Sequence, residues 1–195
     1  MSDKLSLSSL LDKLYQLCLS GGYGLTSAYA LAEQHRARYP FHSDSLDKLI
    51  KQETNKAATS GFITGLGGLM SLPITLPANA VSSLFIQMRL VATIAILQGH
   101  DVRDERIKLL MYFSLCVMTG KAELQQFCLN ALMKQSSEII QQMSLSITKQ
   151  LIAALGAKHA VKLIKVIPLL GGITGAVIDR VITCKIGQFA KQQFK

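Results

Sequence analysis

The sequence predicts an all-α protein folded as a single compact domain of several helices. Apolar residues recur at intervals of three and four, whereas alternation of apolar and polar residues never lasts long enough for a convincing strand. Glycine or proline stands where this helical periodicity breaks. A length of 195 residues, 49% of them hydrophobic, suits one domain with a substantial core. We expect apolar helices interrupted by glycine and proline at its centre.

Two helices are predicted in the first forty residues. Leucines from Leu7 to Leu17 lie on one helical face, and Gly21-Gly22 ends this helix, so residues 1–24 form an N-terminal helix and a glycine turn. A second helix is predicted from Leu25 to Ala37. It ends at Tyr39-Pro40, because a residue before proline disfavours the helical conformation.

The third helix leads into an unusually long stretch without charge. Ser43 or Asp44 can cap this helix, which continues into the segment GFITGLGGLMSLPITLPAN. No charged residue occurs from Ala57 to Met88, between Lys56 and Arg89. Glycine and proline interrupt this stretch repeatedly, so it does not read as a simple membrane span.

Proline and aspartate mark the starts of the next two helices. Pro73 and Pro77 begin the fourth helix, which runs to Leu97, because proline is tolerated in a first helical turn. Asp101 is the expected N-cap of the fifth helix, which reaches Met118.

The remainder of the chain is also predicted to be helical. One or two helices cover Lys121 to Leu155, and a short basic helix covers 157–166. Pro168 interrupts, and a helix opened by glycine follows to the end of the sequence.

Two apolar segments share glycines near helical spacing and a flanking proline: GFITGLGGLMSLP and VIPLLGGITGAVID. Their glycines remove side chains from one stripe, so a neighbouring helix can approach closely. We expect the two helices to cross at the centre of the domain, either as ordinary core packing or as a hairpin that lipid accepts. The packing glycines are Gly61, Gly65, Gly67, Gly68, Gly171, Gly172 and Gly175.

Arg89 and Asp179 are charges within strongly apolar surroundings. Burial of an unpaired guanidinium costs several kcal/mol. Arg89–Asp179 is therefore a candidate buried ion pair that links the two glycine-bearing elements. The alternative is that Arg89 extends its stem to the surface and Asp179 pairs with Arg180.

The long central block resembles the EcsC protein family, in the order GFITGLGGLMSLPITLPAN, IQMRLVATIAILQGHDVRDERIKLLMYFSLC, IPLLGGITGAVID and IGQFAKQQF. The likeness covers roughly residues 28–194, within a single domain of residues 1–195. It implies a helical fold and, through a bacterial family named for a gene neighbour of an ABC transporter, membrane-associated biology. It supplies no catalytic residue.

Catalytic and metal-binding patterns are not found in the sequence. Neither a G-x-S-x-G nucleophile motif nor a phosphate-binding G-x-x-x-x-G-K-[ST] motif occurs. The pair His100-Asp101 favours helix capping over a metal site, and His35 and His42 are expected to be exposed. We predict no enzyme activity, no cofactor and no metal. The cysteines are expected to be reduced, small apolar residues: Cys18, Cys116, Cys128 and Cys184.

The net charge of +9 is concentrated toward the C-terminus, where eight Lys or Arg and one acid follow Glu138. Lys158, Lys162 and Lys165 share a helical face, and such a surface beside apolar helix is typical of binding to anionic membranes. An ordinary solvated lysine face is the alternative. Nucleic acid is not expected, since Arg and aromatic residues are scarce here. The candidate surface comprises Lys149, Lys158, Lys162, Lys165, Lys185, Lys191 and Lys195.

The sequence therefore predicts a non-catalytic cytoplasmic protein that associates peripherally with the inner face of the membrane, linked to transport or envelope processes. Its expected partner is an anionic lipid surface or a membrane protein complex. The alternative is an interaction module or scaffold for a transporter or envelope complex, without direct lipid binding. An integral membrane protein is less favoured, because the best spanning candidate, Gly61–Ala80, holds Pro73, Pro77 and Asn79.

Overall fold

The computed structural model describes residues 7–22, 26–40, 44–57, 78–116 and 175–195, and each element in these ranges is a helix. The six helices pack into one domain, which confirms the predicted all-α class. They are α1 (Leu7–Ser20), α2 (Ala28–Arg38), α3 (Ser45–Ala57), α4 (Ala78–Leu97), α5 (Glu105–Cys116) and α6 (Gly175–Gln193).

Local sequence signals set the ends of α1 and α2. Gly21 and Gly22 follow α1 with φ angles of 73° and 145°, which side chains other than glycine rarely adopt. Ser27 caps α2, and its hydroxyl accepts a hydrogen bond from the backbone N–H of Ala30 at 3.1 Å. At the other end, Tyr39 caps α2 and donates its backbone N–H to the carbonyl of His35.

The starts of α3 and α5 refine the predicted caps. Asp44 directly precedes α3, and its carbonyl accepts from the N–H of Lys48 at 3.1 Å. The predicted capping of α5 by Asp101 is wrong. Asp101 stabilises a preceding turn, whereas the carboxylate of Asp104 accepts from the N–H of Arg106 at 2.7 Å, where α5 begins. Asp101 and Asp104 lie three residues apart, and only Asp104 directly precedes the first residue of α5.

Helix α4 is the centre of the fold. It contacts all five other described helices, and every side chain from Val81 to Ile96 is buried. A helix that is buried on all sides lacks a polar face, which explains its nearly continuous run of apolar and small residues. None of the helices in the described ranges combines the length and the apolar character that crossing a membrane would need.

Helices α3, α4 and α6 form a layered unit on one side of the domain. Gln87 donates to the hydroxyl of Thr183 at 3.4 Å, and Gln98 donates to the carbonyl of Lys191 at 3.1 Å, so α4 and α6 run in the same direction. Helix α3 runs opposite to α6, since Asp47 at its start contacts Lys191 near the end of α6.

Helices α1 and α5 also pack against α4, and α5 contacts α6 as well. The hydroxyl of Tyr15 donates to the carbonyl of Val102 at 2.5 Å, which fixes α1 to the turn before α5. Lys108 lies over the ring of Tyr15 and 3.4 Å from the carboxylate of Asp12. They position α1 and α5 against the rest of the domain.

Candidate functional site

A buried ion pair joins α3 to α4. The Nη2 atom of Arg89 lies 2.6 Å from Oε2 of Glu53, and the two side chains are 4% and 0% exposed. Arg89 also donates to the carbonyl of Thr26 at 3.3 Å, and Lys56 contacts the other carboxylate oxygen of Glu53 at 2.7 Å. The pair thus links α3, α4 and the residue before the α2 cap. Its partners suit a structural role.

The predicted pairing of Arg89 with Asp179 is wrong, since the acid that contacts Arg89 among the described residues is Glu53. The reason is the angular position of Arg89 on α4. Gln87 faces α6 through Thr183. Arg89 follows Gln87 by two residues, roughly 200° around the helix, and so points away from α6. The alternative prediction, that the side chain of Arg89 extends to the surface, is also wrong, because Arg89 is buried.

Asp179 instead faces the start of α4. The hydroxyl of Ser83 lies near it there. Burial raises the pKa of Asp179 above its usual value, and the nearby hydroxyl of Ser83 offsets part of that rise. The neutral form of this carboxyl group is therefore favoured by folding relative to its form in the unfolded chain.

Glycine does mediate a close helix contact, at a position that sequence reasoning missed. A methyl group added at Gly187 would lie 2.9 Å from Cγ1 of Ile50 and 3.1 Å from Cδ2 of Leu90. Gly187 thus lets α6 approach α3 and α4 together. The signal was a lone glycine inside an otherwise helical segment. Of the predicted packing glycines, Gly175 is the first residue of α6, and Gly61, Gly65, Gly67, Gly68, Gly171 and Gly172 lie outside the described residues.

Three of the predicted lysines lie in or beside α6, and their environments differ. Lys185 and Lys195 are exposed. Lys191 is partly buried, and its ammonium group lies 2.7 Å from the carboxylate of Asp47, so its charge is paired with α3. This contact and a hydrogen bond from Gln188 lower the pKa of Asp47. The remaining candidates lie outside the described residues: Lys149, Lys158, Lys162 and Lys165.

A groove of about 560 Å³ runs between α3 and α6, and we call it the α3–α6 groove. Its apolar walls include Ile50, Val181 and Cys184. Val181 is 48% exposed, although large apolar side chains are otherwise buried or partly buried across the described ranges. The cations that line the groove are Lys51, Arg180 and Lys185.

The environment of His35 differs from the one predicted. His35 is buried, contrary to expectation, because its place in the series Ala28, Leu31, Ala32 puts it on the inner face of α2. Its Nε2 lies 2.7 Å from the carbonyl of Ser45. In the described part of the chain, no group of three or more His, Cys, Asp or Glu side chains is arranged to hold a metal ion.

The two cysteines whose side-chain environments the structure describes differ in exposure. Cys18 is buried, as expected of a small apolar residue, and burial raises the pKa of its thiol. Cys184 is a free, exposed thiol on α6. It lies in the wall of the α3–α6 groove, within reach of a soluble reagent.

Comparison with known proteins gives a family assignment. The family model described as the EcsC protein family matches residues 6–195, which extends the likeness through the first helix. No curated protein and no solved structure matches the chain. The match covers nearly the whole sequence. The chain belongs to the EcsC protein family.

Proposed function

We propose that this protein associates peripherally with anionic membrane surfaces through the exposed face of α6. The observation that carries the proposal is the combination of exposed cations and an exposed apolar side chain on one helix: Arg180, Val181 and Lys185. A basic helix face with apolar side chains in its midst suits the boundary between lipid head groups and acyl chains.

The charge distribution supports lipid as the partner. Each Lys or Arg held near an anionic leaflet contributes on the order of 1 kcal/mol to binding, so several together retain a protein reversibly. Arg180, Lys185 and Lys195 are exposed and contribute at full strength. Lys191 contributes less, because Asp47 already neutralises it. The net charge of +9 adds a long-range attraction of the same sign.

Co-sedimentation with vesicles tests this proposal. The purified protein is mixed with vesicles of phosphatidylcholine alone, or of equal parts phosphatidylcholine and phosphatidylglycerol, at low and high salt. We expect binding to the anionic vesicles only, weakened by salt, because screening shortens the reach of surface charge. No binding to either composition would contradict the proposal and favour a protein partner.

Charge reversal identifies the surface responsible. The double variant Arg180→Glu with Lys185→Glu should lose most of the vesicle binding. Its matched control is Lys13→Glu with Arg106→Glu, which makes the same change of net charge at exposed positions on α1 and α5. Equal loss in both variants would show that net charge acts without a specific face. Reversal of Lys158, Lys162 and Lys165 to Glu tests the predicted basic helix in the same way.

A further inference from the structure

We propose that the α3–α6 groove binds one anionic amphiphile, a single lipid whose acyl chain lies on the apolar walls and whose head group meets the cations. This proposal rests on the proposed function in one respect, since membrane association would supply the lipid. It goes further by assigning a molecular binding site, as distinct from attraction to a charged surface.

The size and lining of the groove fit such a ligand. Its volume of about 560 Å³ lies within the range of roughly 300–1,000 Å³ that is usual for small-molecule sites. Ile50 lies at its base, and Val181 and Cys184 extend the apolar surface along α6. An acyl chain in this position would cover Val181, which is 48% exposed.

The charge of the groove selects an anion. Lys51 projects from α3, and Arg180 and Lys185 project from α6, so cations come from both helices. The acid in the groove lining is Asp47, whose carboxylate accepts hydrogen bonds from Lys191 at 2.7 Å and Gln188 at 3.1 Å. With Asp47 already neutralised by Lys191, the groove presents excess positive charge.

Thr54 is an independent indication of a ligand. It lines the groove from α3 and is only 5% exposed, yet its hydroxyl oxygen is buried and has no hydrogen-bond partner in the structure described. Buried polar groups are normally paired, and an orphaned hydroxyl group calls for an explanation. Rotation of Thr54 about its Cα–Cβ bond would turn this shielded hydroxyl into the groove, where a head-group oxygen would accept its hydrogen bond.

The exposed thiol of Cys184 provides the measurement. Alkylation of Cys184 by iodoacetamide is followed by peptide mass spectrometry, with and without a short-chain phosphatidylglycerol below its micellar concentration. We expect the anionic lipid to slow alkylation at least several-fold, and short-chain phosphatidylcholine to have little effect. Cys18 is buried and serves as an internal control for unfolding. Unchanged alkylation at saturating anionic lipid would overturn the proposal.

Two isosteric variants test the role of the hydroxyl group. Thr54→Val should raise the lipid concentration that half-protects Cys184 about tenfold, because the variant loses one hydrogen bond to a charged group. The control Thr93→Val removes a buried hydroxyl that donates to the carbonyl of Arg89, away from the groove, and should leave protection unchanged. Equal effects of both variants would contradict a specific contact with Thr54.

The results also separate this proposal from the preceding one. Vesicle binding without protection of Cys184 would overturn the groove site and leave the surface association standing. Protection by monomeric lipid without vesicle binding would support the site and contradict the surface association. Absence of both would overturn both.

Discussion

Replacement of Glu53 by Met should be the most damaging single change in the described core. The Arg89 guanidinium and the Glu53 carboxylate are 2.6 Å apart, with the side chain of Glu53 wholly buried. Loss of one partner of a buried pair typically costs about 3–5 kcal/mol, because the other charge remains in a low-dielectric environment. A domain of this size has roughly 5–15 kcal/mol of stability in total, so much of it would be lost.

The reverse change, Arg89→Met, should cost less than Glu53→Met. Lys56 remains 2.7 Å from the Glu53 carboxylate and is half exposed, so the acid keeps one cation. The double variant Glu53→Met with Arg89→Met leaves no buried charge at this site. It should be more stable than Glu53→Met alone, because apolar replacements of buried pairs are often neutral or stabilising.

Urea unfolding followed by circular dichroism measures these differences. The matched control is Lys56→Met, which removes the exposed partner of Glu53 and should cost under about 1 kcal/mol. The reasoning would be refuted if Glu53→Met cost no more than this control. It would equally be refuted if the double variant lost the sum of the two single losses, since the two sites would then act independently.

Two further predictions concern α6. Gly187→Ala should lower Tm, because overpacking costs about 1–3 kcal/mol against roughly 1 kcal/mol of helix propensity gained. The loss should be smaller in an Ile50→Ala background, which removes both facing γ carbons, and an equal loss in both backgrounds would show that the contact is not responsible. Asp179→Asn should raise Tm at neutral pH, because burial raises the pKa of Asp179, so its ionised form costs stability above that pKa. The gain should vanish below about pH 4, where the carboxyl group is protonated in both states, and a constant gain at all pH values would contradict this.

Helix boundaries were predictable because their signals are local. Gly21-Gly22 ends α1 through backbone geometry, and α4 begins at Ala78, the residue after the predicted Pro77. The cap at Ser27 was not predicted, and α2 begins at Ala28 where Leu25 was expected. The cap of α5 was misassigned because Asp101 and Asp104 have the same chemistry three residues apart. Which of them caps α5 depends on the turn that precedes the helix, and the residue type alone does not determine that turn.

The burial of Arg89 followed from its apolar neighbours, but its partner did not. Glu53 lies on α3 in line with Leu49 and Ile50, at the spacing of residues that share a face, but it was not considered as a partner. Choosing between Glu53 and Asp179 requires the rotation of α4 relative to its neighbours. That rotation is set by packing among α3, α4 and α6, which are distant in sequence.

The charged surface was predictable only as a composition. Eight cations after Glu138 are visible in the sequence, but the neutralisation of Lys191 depends on Asp47, 144 residues earlier. The α3–α6 groove was not foreseen for the same reason, since its two walls come from opposite parts of the chain. Val181 and Cys184 are both exposed on α6, although both are apolar residue types.

The pairing of α3 with α6 has a consequence for folding. Contacts such as Ile50 with Gly187 close a loop of well over a hundred residues, and long-range contacts of this kind slow folding. During synthesis, α3 and α4 leave the ribosome long before α6. The apolar side chains of Ile50 and Leu90, which α6 contacts in the folded domain, stay without that contact until α6 is made. We therefore expect nascent chains that lack α6 to aggregate or engage chaperones, as intermediates with uncovered core surface generally do.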